Sequence, residues 1–122
     1  MTAALLVFLG AAVGAPLRYL TDRTVQARHD SVFPWGTLTV NVVGCLLFGA
    51  LTGAGTVLPA GAPALLGTGC LGALTTWSTF SYETLRLTED GAWLYAAANV
   101  LVSVTAGLGA ALLGHTVVAA LV

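Results

Sequence analysis

The chain has 122 residues, of which 57% are apolar and 7% are charged, and its formal net charge is −1. Soluble domains carry about a quarter charged residues, so this composition excludes an ordinary water-covered fold and predicts an all-α integral membrane protein. There is no basic run of the kind that binds nucleic acid, and no Ser-His-Asp, Cys-His or paired-carboxylate arrangement. We therefore expect neither a nucleic-acid partner nor an enzyme.

The few charges lie in two clusters that separate long apolar stretches. Residues 1–17 and 31–82 contain no Asp, Glu, Lys or Arg, and after Gly91 only His115 could carry a charge. A transmembrane helix needs about 20 apolar residues. The pattern predicts a single domain, residues 1–122, with four transmembrane helices. Their expected bounds are residues 3–25, 35–57, 64–87 and 92–120.

Small residues at helical spacing predict close packing between these helices. Gly10 and Gly14 are four residues apart, as are Gly49 and Gly53, and such pairs let helix backbones approach closely in lipid. Four close-packed helices of this length leave no room for an aqueous lumen inside one chain. A solute pathway would therefore run between chains, and a dimer is the commonest closed assembly.

All four basic residues border the same membrane face. Arg18, Arg23 and Arg28 lie in or before the first loop, and Arg86 precedes the third. By the positive-inside rule the two charged loops are cytoplasmic and both termini lie outside. This predicts a multi-pass protein of the cell inner (plasma) membrane. The alternative is that so few charges do not fix an orientation.

The third predicted helix carries a polar segment at its centre. Residues 75–81 include five hydroxyl side chains, preceded by Gly67, Gly69 and Gly72. Hydroxyls that bond back to carbonyls loosen a helix, and irregular backbone within a membrane occurs where it is buried or lines a cavity. A mid-membrane break within residues 72–76 would release carbonyl oxygens for a hard cation. The alternative is hydrogen bonding between intact helices.

Aromatic and amide side chains point to an anion. Trp77 and Phe80 share one helix face, and their ring edges are electropositive; the alternative is that both are core residues. Asn41, in the middle of the second helix, has two N–H donors and needs a partner in lipid. It either lines a pathway or clamps two helices together.

Further polar residues occur in the third and fourth helices. Asn99 and Ser103 share one helix face. Glu83 is the only acid near a span interior, where acids are usually functional, although a position near the headgroups would make it unremarkable. Cys45 and Cys70 are expected to act as small apolar residues.

Four ordered motifs resemble those of the Fluc, or CrcB, fluoride channel family. They occupy residues 10–19, 34–44, 69–83 and 99–103, so the resemblance covers nearly the whole chain. It implies a channel that exports cytoplasmic fluoride passively and confers fluoride resistance. It also implies an antiparallel, dual-topology type of dimer, equivalent to an inverted repeat made from two chains, with two fluoride pathways along the subunit interface.

The resemblance also implies roles for individual residues. Phe80 and Trp77 would present ring edges to fluoride, and Asn41 would donate hydrogen bonds to it. The further pathway candidates are Thr76, Ser78, Thr79, Ser103 and Glu83.

Two further implications concern ions. The backbone carbonyls of Gly72 and Thr75, from both subunits, would bind a structural Na⁺ at the centre of the dimer. Arg18 would lie near a pore vestibule and attract anions.

One departure from the family pattern keeps alternatives open. The family usually has Phe where this chain has Trp77. With the one-sided arginines, this leads to the hypothesis that the chain pairs with a paralogous subunit and serves as a non-conducting partner. A rival function is that of a small multidrug or cation exporter, but such a protein needs an acid in its first helix, and residues 1–17 contain none.

Overall fold

The computed structural model describes Met1–Val122 and contains helices and no strands. The all-α prediction is thus confirmed, with four helices overall. Three are continuous and the third is built from shorter pieces. The elements are α1 (Thr2–Ala27), α2 (Trp35–Ala54) with a 3₁₀ turn (Gly55–Val57), a π-helix (Pro63–Leu71), α3 (Gly72–Leu74), α4 (Ser78–Glu89) and α5 (Trp93–Ala119).

Three helices are long and apolar enough to cross a membrane. They are Thr2–Ala27, Trp35–Val57 and Trp93–Ala119. Their large apolar side chains mostly face outward: Phe8 is 68% exposed and Leu112 is 65% exposed. Apolar side chains on the outside are the arrangement expected where the surrounding solvent is lipid.

Close backbone contacts join the helices in two pairs, as the small residues predicted. A Cβ atom at Gly49 of α2 would collide with the carbonyl oxygen of Ala111 in α5. In the same way, a Cβ at Gly10 of α1 would collide with the carbonyl oxygen of Leu65 in the π-helix. Only glycine permits backbones this close, so α2 pairs with α5 and α1 pairs with the π-helix.

The π-helix was not anticipated from the sequence. It begins with Pro63 at its first position and contains Gly67 and Gly69, both buried. π-Helical turns are rare and frequently occur at functional sites. Composition and apolar spacing do not distinguish such a segment from an α-helix, because both bury the same stretch of apolar residues.

Candidate functional site: a polar groove beside an interrupted helix

The helical backbone between the π-helix and α4 is interrupted at residues 75–77. The N–H of Thr75 still bonds to the carbonyl of Leu71 at 3.0 Å. Thr75 itself is extended, with φ −80° and ψ 159°, and helical structure begins again at Ser78. The interruption thus falls in the hydroxyl-rich segment singled out in the sequence.

Asn41 of α2 holds the backbone of this interruption through two hydrogen bonds. Its Nδ2 donates to the carbonyl oxygen of Thr76 at 2.9 Å, and its Oδ1 accepts from the Thr76 N–H at 2.7 Å. Both Thr76 backbone groups lack helical partners, so the amide replaces the missing bonds of the helix. Asn41 therefore clamps two helices, and the clamp leaves its second N–H free.

The side chain of Thr76 starts the following helix. Its Oγ1 accepts the Thr79 N–H at 3.2 Å, as an N-terminal cap does, and donates to Thr79 Oγ1 at 3.0 Å. Ser78 Oγ lies 3.4 Å away. Thr76 is buried at 9% exposure, so these contacts fix where α4 begins.

A groove of about 410 Å³ lies along the interruption, between α2 and α5. Its lining combines a few polar groups with apolar walls and includes no formally charged side chain. The lining residues are Asn41, Cys45, Thr75, Thr76, Trp77, Phe80, Ser103, Val104, Gly107, Leu108 and Ala111.

The two aromatic side chains of the groove differ in exposure. Phe80 is 7% exposed and Trp77 is 76% exposed. Their ring centroids are 5.1 Å apart, with an interplanar angle of 47°. Such a tilted arrangement brings a ring edge close to the neighbouring face. Phe80 is thus fixed in the wall of the groove, whereas Trp77 stands at its rim.

A hydrogen-bonded chain of side chains leads from the groove into the protein. Ser103 Oγ donates to Asn99 Oδ1 at 3.3 Å, and Asn99 Nδ2 donates to Thr84 Oγ1 at 2.9 Å. Thr84 Oγ1 donates in turn to the carbonyl of Phe80 at 2.8 Å. Asn99 is only 1% exposed, so its amide joins α5 to α4. Thr84 was not selected from the sequence, because a lone Thr near a helix end has no distinguishing pattern.

The carbonyl oxygens of Gly72 and Thr75 accept no hydrogen bond within the chain. Gly72 is exposed on the surface of the subunit, and Thr75 is half-buried. Free carbonyl oxygens are suitable ligands for a hard monovalent or divalent cation. The donor set that the resemblance implies for Na⁺ is therefore chemically suitable, and one of its two residues, Gly72, is exposed on the subunit.

Other sequence-predicted site residues lie outside the groove. Glu83 lines a separate cavity of about 320 Å³ together with Asp22, Asp90 and Arg86. One carboxylate oxygen of Glu83, Oε2, is buried without a hydrogen-bond partner, as is Thr37 Oγ1.

Ser78, Thr79 and Arg18 are likewise absent from the groove lining. Ser78 and Thr79 contact Thr76 instead. Arg18 is half-buried in α1 and forms no hydrogen bond or ion pair. Of the predicted pathway residues, the groove brings together Asn41, Thr76, Trp77, Phe80 and Ser103. It also includes Thr75 of the predicted Na⁺ site, and it does not include the other candidates.

Comparison with known proteins places these features in a family. The family model described as "CrcB-like protein, Camphor Resistance (CrcB)" matches residues 5–115, which include the entire groove. The chain belongs to the CrcB-like family. This confirms the resemblance seen in the sequence motifs.

Several curated relatives of this CrcB-like chain have similar lengths. A Streptomyces avermitilis protein, "Fluoride-specific ion channel FluC 1", is 67% identical over 112 residues, covering 90% of each chain. "Fluoride-specific ion channel FluC 2" of Mycobacterium tuberculosis strain H37Rv is 51% identical over 109 residues, 89% of this chain and 85% of that protein. "Fluoride-specific ion channel FluC" of Shewanella frigidimarina is 46% identical over 120 residues, 97% of each chain. These relatives are named as ion channels and not as enzymes.

Proposed function

We propose that this chain is a subunit of a fluoride-selective channel that lets fluoride leave the cytoplasm passively across the plasma membrane. The names of relatives that are 46% to 67% identical over most of the chain support this function. The chemistry of the groove supports it independently, because an N–H donor and two aromatic side chains line it without any formal charge.

The observation that carries the proposal is the Asn41 clamp. It holds the interrupted backbone in one place, which sets Phe80 in the wall of the same groove as the free N–H of Asn41. Fluoride that leaves water needs such groups to replace its hydration shell. Neutral donors favour a small anion without trapping it as a buried arginine or lysine would.

The groove is open on one side of the subunit, and a second chain would close it. Trp77 at the rim is 76% exposed, although it lies near the middle of the third helix. We propose that an oppositely oriented subunit covers this face, so that two pathways form along an antiparallel interface. In that assembly the interruption lies at mid-membrane depth.

Sodium would bind at the centre of this dimer. The unpartnered carbonyls of Gly72 and Thr75, duplicated by the second subunit, would supply four oxygen ligands. A bound Na⁺ would supply positive charge that draws these carbonyl dipoles together. If so, replacing Na⁺ with a large organic cation should weaken the dimer, as measured by its dissociation in detergent.

The partner is either a second copy or a paralogous chain. A homodimer requires each chain to insert in both orientations, whereas all four arginines favour one. Tags in residues 28–34 and 58–62 should therefore label from opposite membrane faces. Equal labelling of each tag from both faces would refute a fixed orientation.

Ion efflux from liposomes tests the function itself. Vesicles containing the purified protein and loaded with both halides should release fluoride, detected with a fluoride electrode, and retain chloride. A matched set without protein gives the background. Release of both ions, or of neither, would contradict a fluoride-selective channel.

A further inference from the structure

Each hydroxyl group that lines the groove already donates its proton in a hydrogen bond within the chain. Thr75 Oγ1 donates to the Leu71 carbonyl at 3.1 Å. Thr76 Oγ1 donates to Thr79 Oγ1 at 3.0 Å, and Ser103 Oγ donates to Asn99 Oδ1 at 3.3 Å. A hydroxyl has a single proton to donate. In this arrangement the three groups offer only oxygen lone pairs to the groove, which repel an anion.

Two side-chain N–H donors of the groove lining remain free. One is the second Nδ2–H of Asn41, whose orientation is fixed because the Thr76 N–H can only donate and the Thr76 carbonyl can only accept. The other is the indole N–H of Trp77, which makes no hydrogen bond within the chain. Trp77 lines the groove in contact with Phe80, with ring centroids 5.1 Å apart.

The position of Trp77 in the fold separates it from the other tryptophans. Trp35 and Trp93 are the first residues of α2 and α5, next to polar loops. Tryptophans at helix ends commonly place their N–H among lipid headgroups. Trp77 lies between α3 and α4, far from both ends of the third helix. A headgroup partner is therefore out of its reach, and its N–H needs a different acceptor.

We propose that the indole N–H of Trp77 is a hydrogen-bond donor to the halide and a specificity-determining group of this chain. This rests on the proposed fluoride pathway and deepens it. With Asn41 it would give the ion two neutral N–H donors, in addition to the ring edge of Phe80. A small, strongly basic anion gains most from such donors. It can approach an N–H group more closely than a larger halide can, and shorter charge-assisted hydrogen bonds are stronger.

Nitrogen-15 NMR of the three indole N–H groups tests this assignment directly. The protein is labelled at tryptophan, and the Trp77 signal is identified by its loss in Trp77→Phe, or by elimination with Trp35→Phe and Trp93→Phe. Fluoride should shift the Trp77 indole signal downfield, whereas chloride at the same concentration should not. The signals of Trp35 and Trp93 should stay in place.

Fluoride efflux from liposomes gives a second readout. Trp77→Phe keeps an aromatic ring but removes the donor, so the fluoride concentration for half-maximal efflux should rise roughly tenfold. The matched variant Trp93→Phe should leave it unchanged. Size-exclusion chromatography shows whether each variant keeps the assembly of the unmodified protein.

Each result supports or refutes the assignment. If the Trp77 indole signal does not shift with fluoride and the unmodified protein still releases fluoride, the N–H contact is refuted and the channel function is not. An equal shift with chloride would overturn its selectivity for fluoride. Absence of both efflux and any fluoride-dependent shift would refute the proposed function together with this contact.

Discussion

Replacing Asn41 by alanine tests what holds the interrupted helix in place. The substitution removes both hydrogen bonds to Thr76, of 2.9 and 2.7 Å. Thr76 is only 9% exposed, so water has little access to the N–H and carbonyl that lose their partners. Leaving a buried polar group unsatisfied costs about 1–3 kcal/mol. Two such groups give a loss of roughly 2–6 kcal/mol in the free energy of unfolding.

Thermal unfolding of the detergent-solubilised protein measures this loss. At this chain length about 1 kcal/mol corresponds to roughly 4 °C in Tm, so Asn41→Ala should lower Tm by roughly 8 °C or more. Fluoride efflux should fall as well, because the groove loses both its clamp and a donor.

Thr105→Val provides the matched control. Thr105 also donates to a backbone carbonyl, that of Leu101, at 2.7 Å, but it does so within its own exposed helix. The Leu101 carbonyl keeps its place in the helix, and Tm should change by less than about 2 °C. A comparable Tm change for Asn41→Ala and Thr105→Val would refute the clamp.

Two further substitutions test the packing around the groove. Gly49→Ala places a methyl group against the carbonyl oxygen of Ala111, so α2 and α5 must separate at a cost of about 1–3 kcal/mol. Gly109→Ala meets nothing within 4 Å and should be neutral or slightly stabilising; equal Tm values for the two variants would contradict the close contact. Asn99→Ala removes the buried bond to Thr84 and should cost about 2 kcal/mol, so an unchanged Tm would show that the buried amide is dispensable.

The sequence predicted the helical class and the family because their signals span many residues. Residues 31–82 contain no charged side chain, and an uncharged stretch of this length indicates a chain that is surrounded by lipid. The family motifs extend over most of the chain, and the match over residues 5–115 confirms them. The four-residue spacing of Gly49 and Gly53 predicted a close contact between helices, since only small residues permit it.

The environment of individual side chains was harder to predict. The sequence left two roles possible for Asn41, a donor in the pathway or a clamp between helices, because an amide side chain can serve in either. The position of the Thr76 backbone, which accepts and donates the two hydrogen bonds of the clamp, is a property of the folded chain. Glu83 was predicted as a candidate for the fluoride pathway, and the structure places it in a cavity separate from the groove. Spacing along a helix defines a face, but it does not show which cavity that face meets.

The π-helix was missed for a related reason. Residues 63–71 are apolar and rich in glycine, which fits an α-helix equally well. This segment packs so closely on α1 that a Cβ atom added at Gly69 would lie about 3.0 Å from the Cα of Gly10. That contact joins residues that are distant in the sequence, so the local pattern of residues 63–71 does not predict it.

Fluoride efflux from liposomes containing Phe80→Ile tests most directly whether the groove is the conduit. Phe80 lies in the groove wall at 7% exposure, whereas Phe8 of α1 is 68% exposed and faces outward. We expect Phe80→Ile to abolish fluoride release while the protein keeps its assembly in size-exclusion chromatography, and Phe8→Ile to conduct normally. Fluoride release at the unmodified rate from Phe80→Ile would show that the ion takes another route.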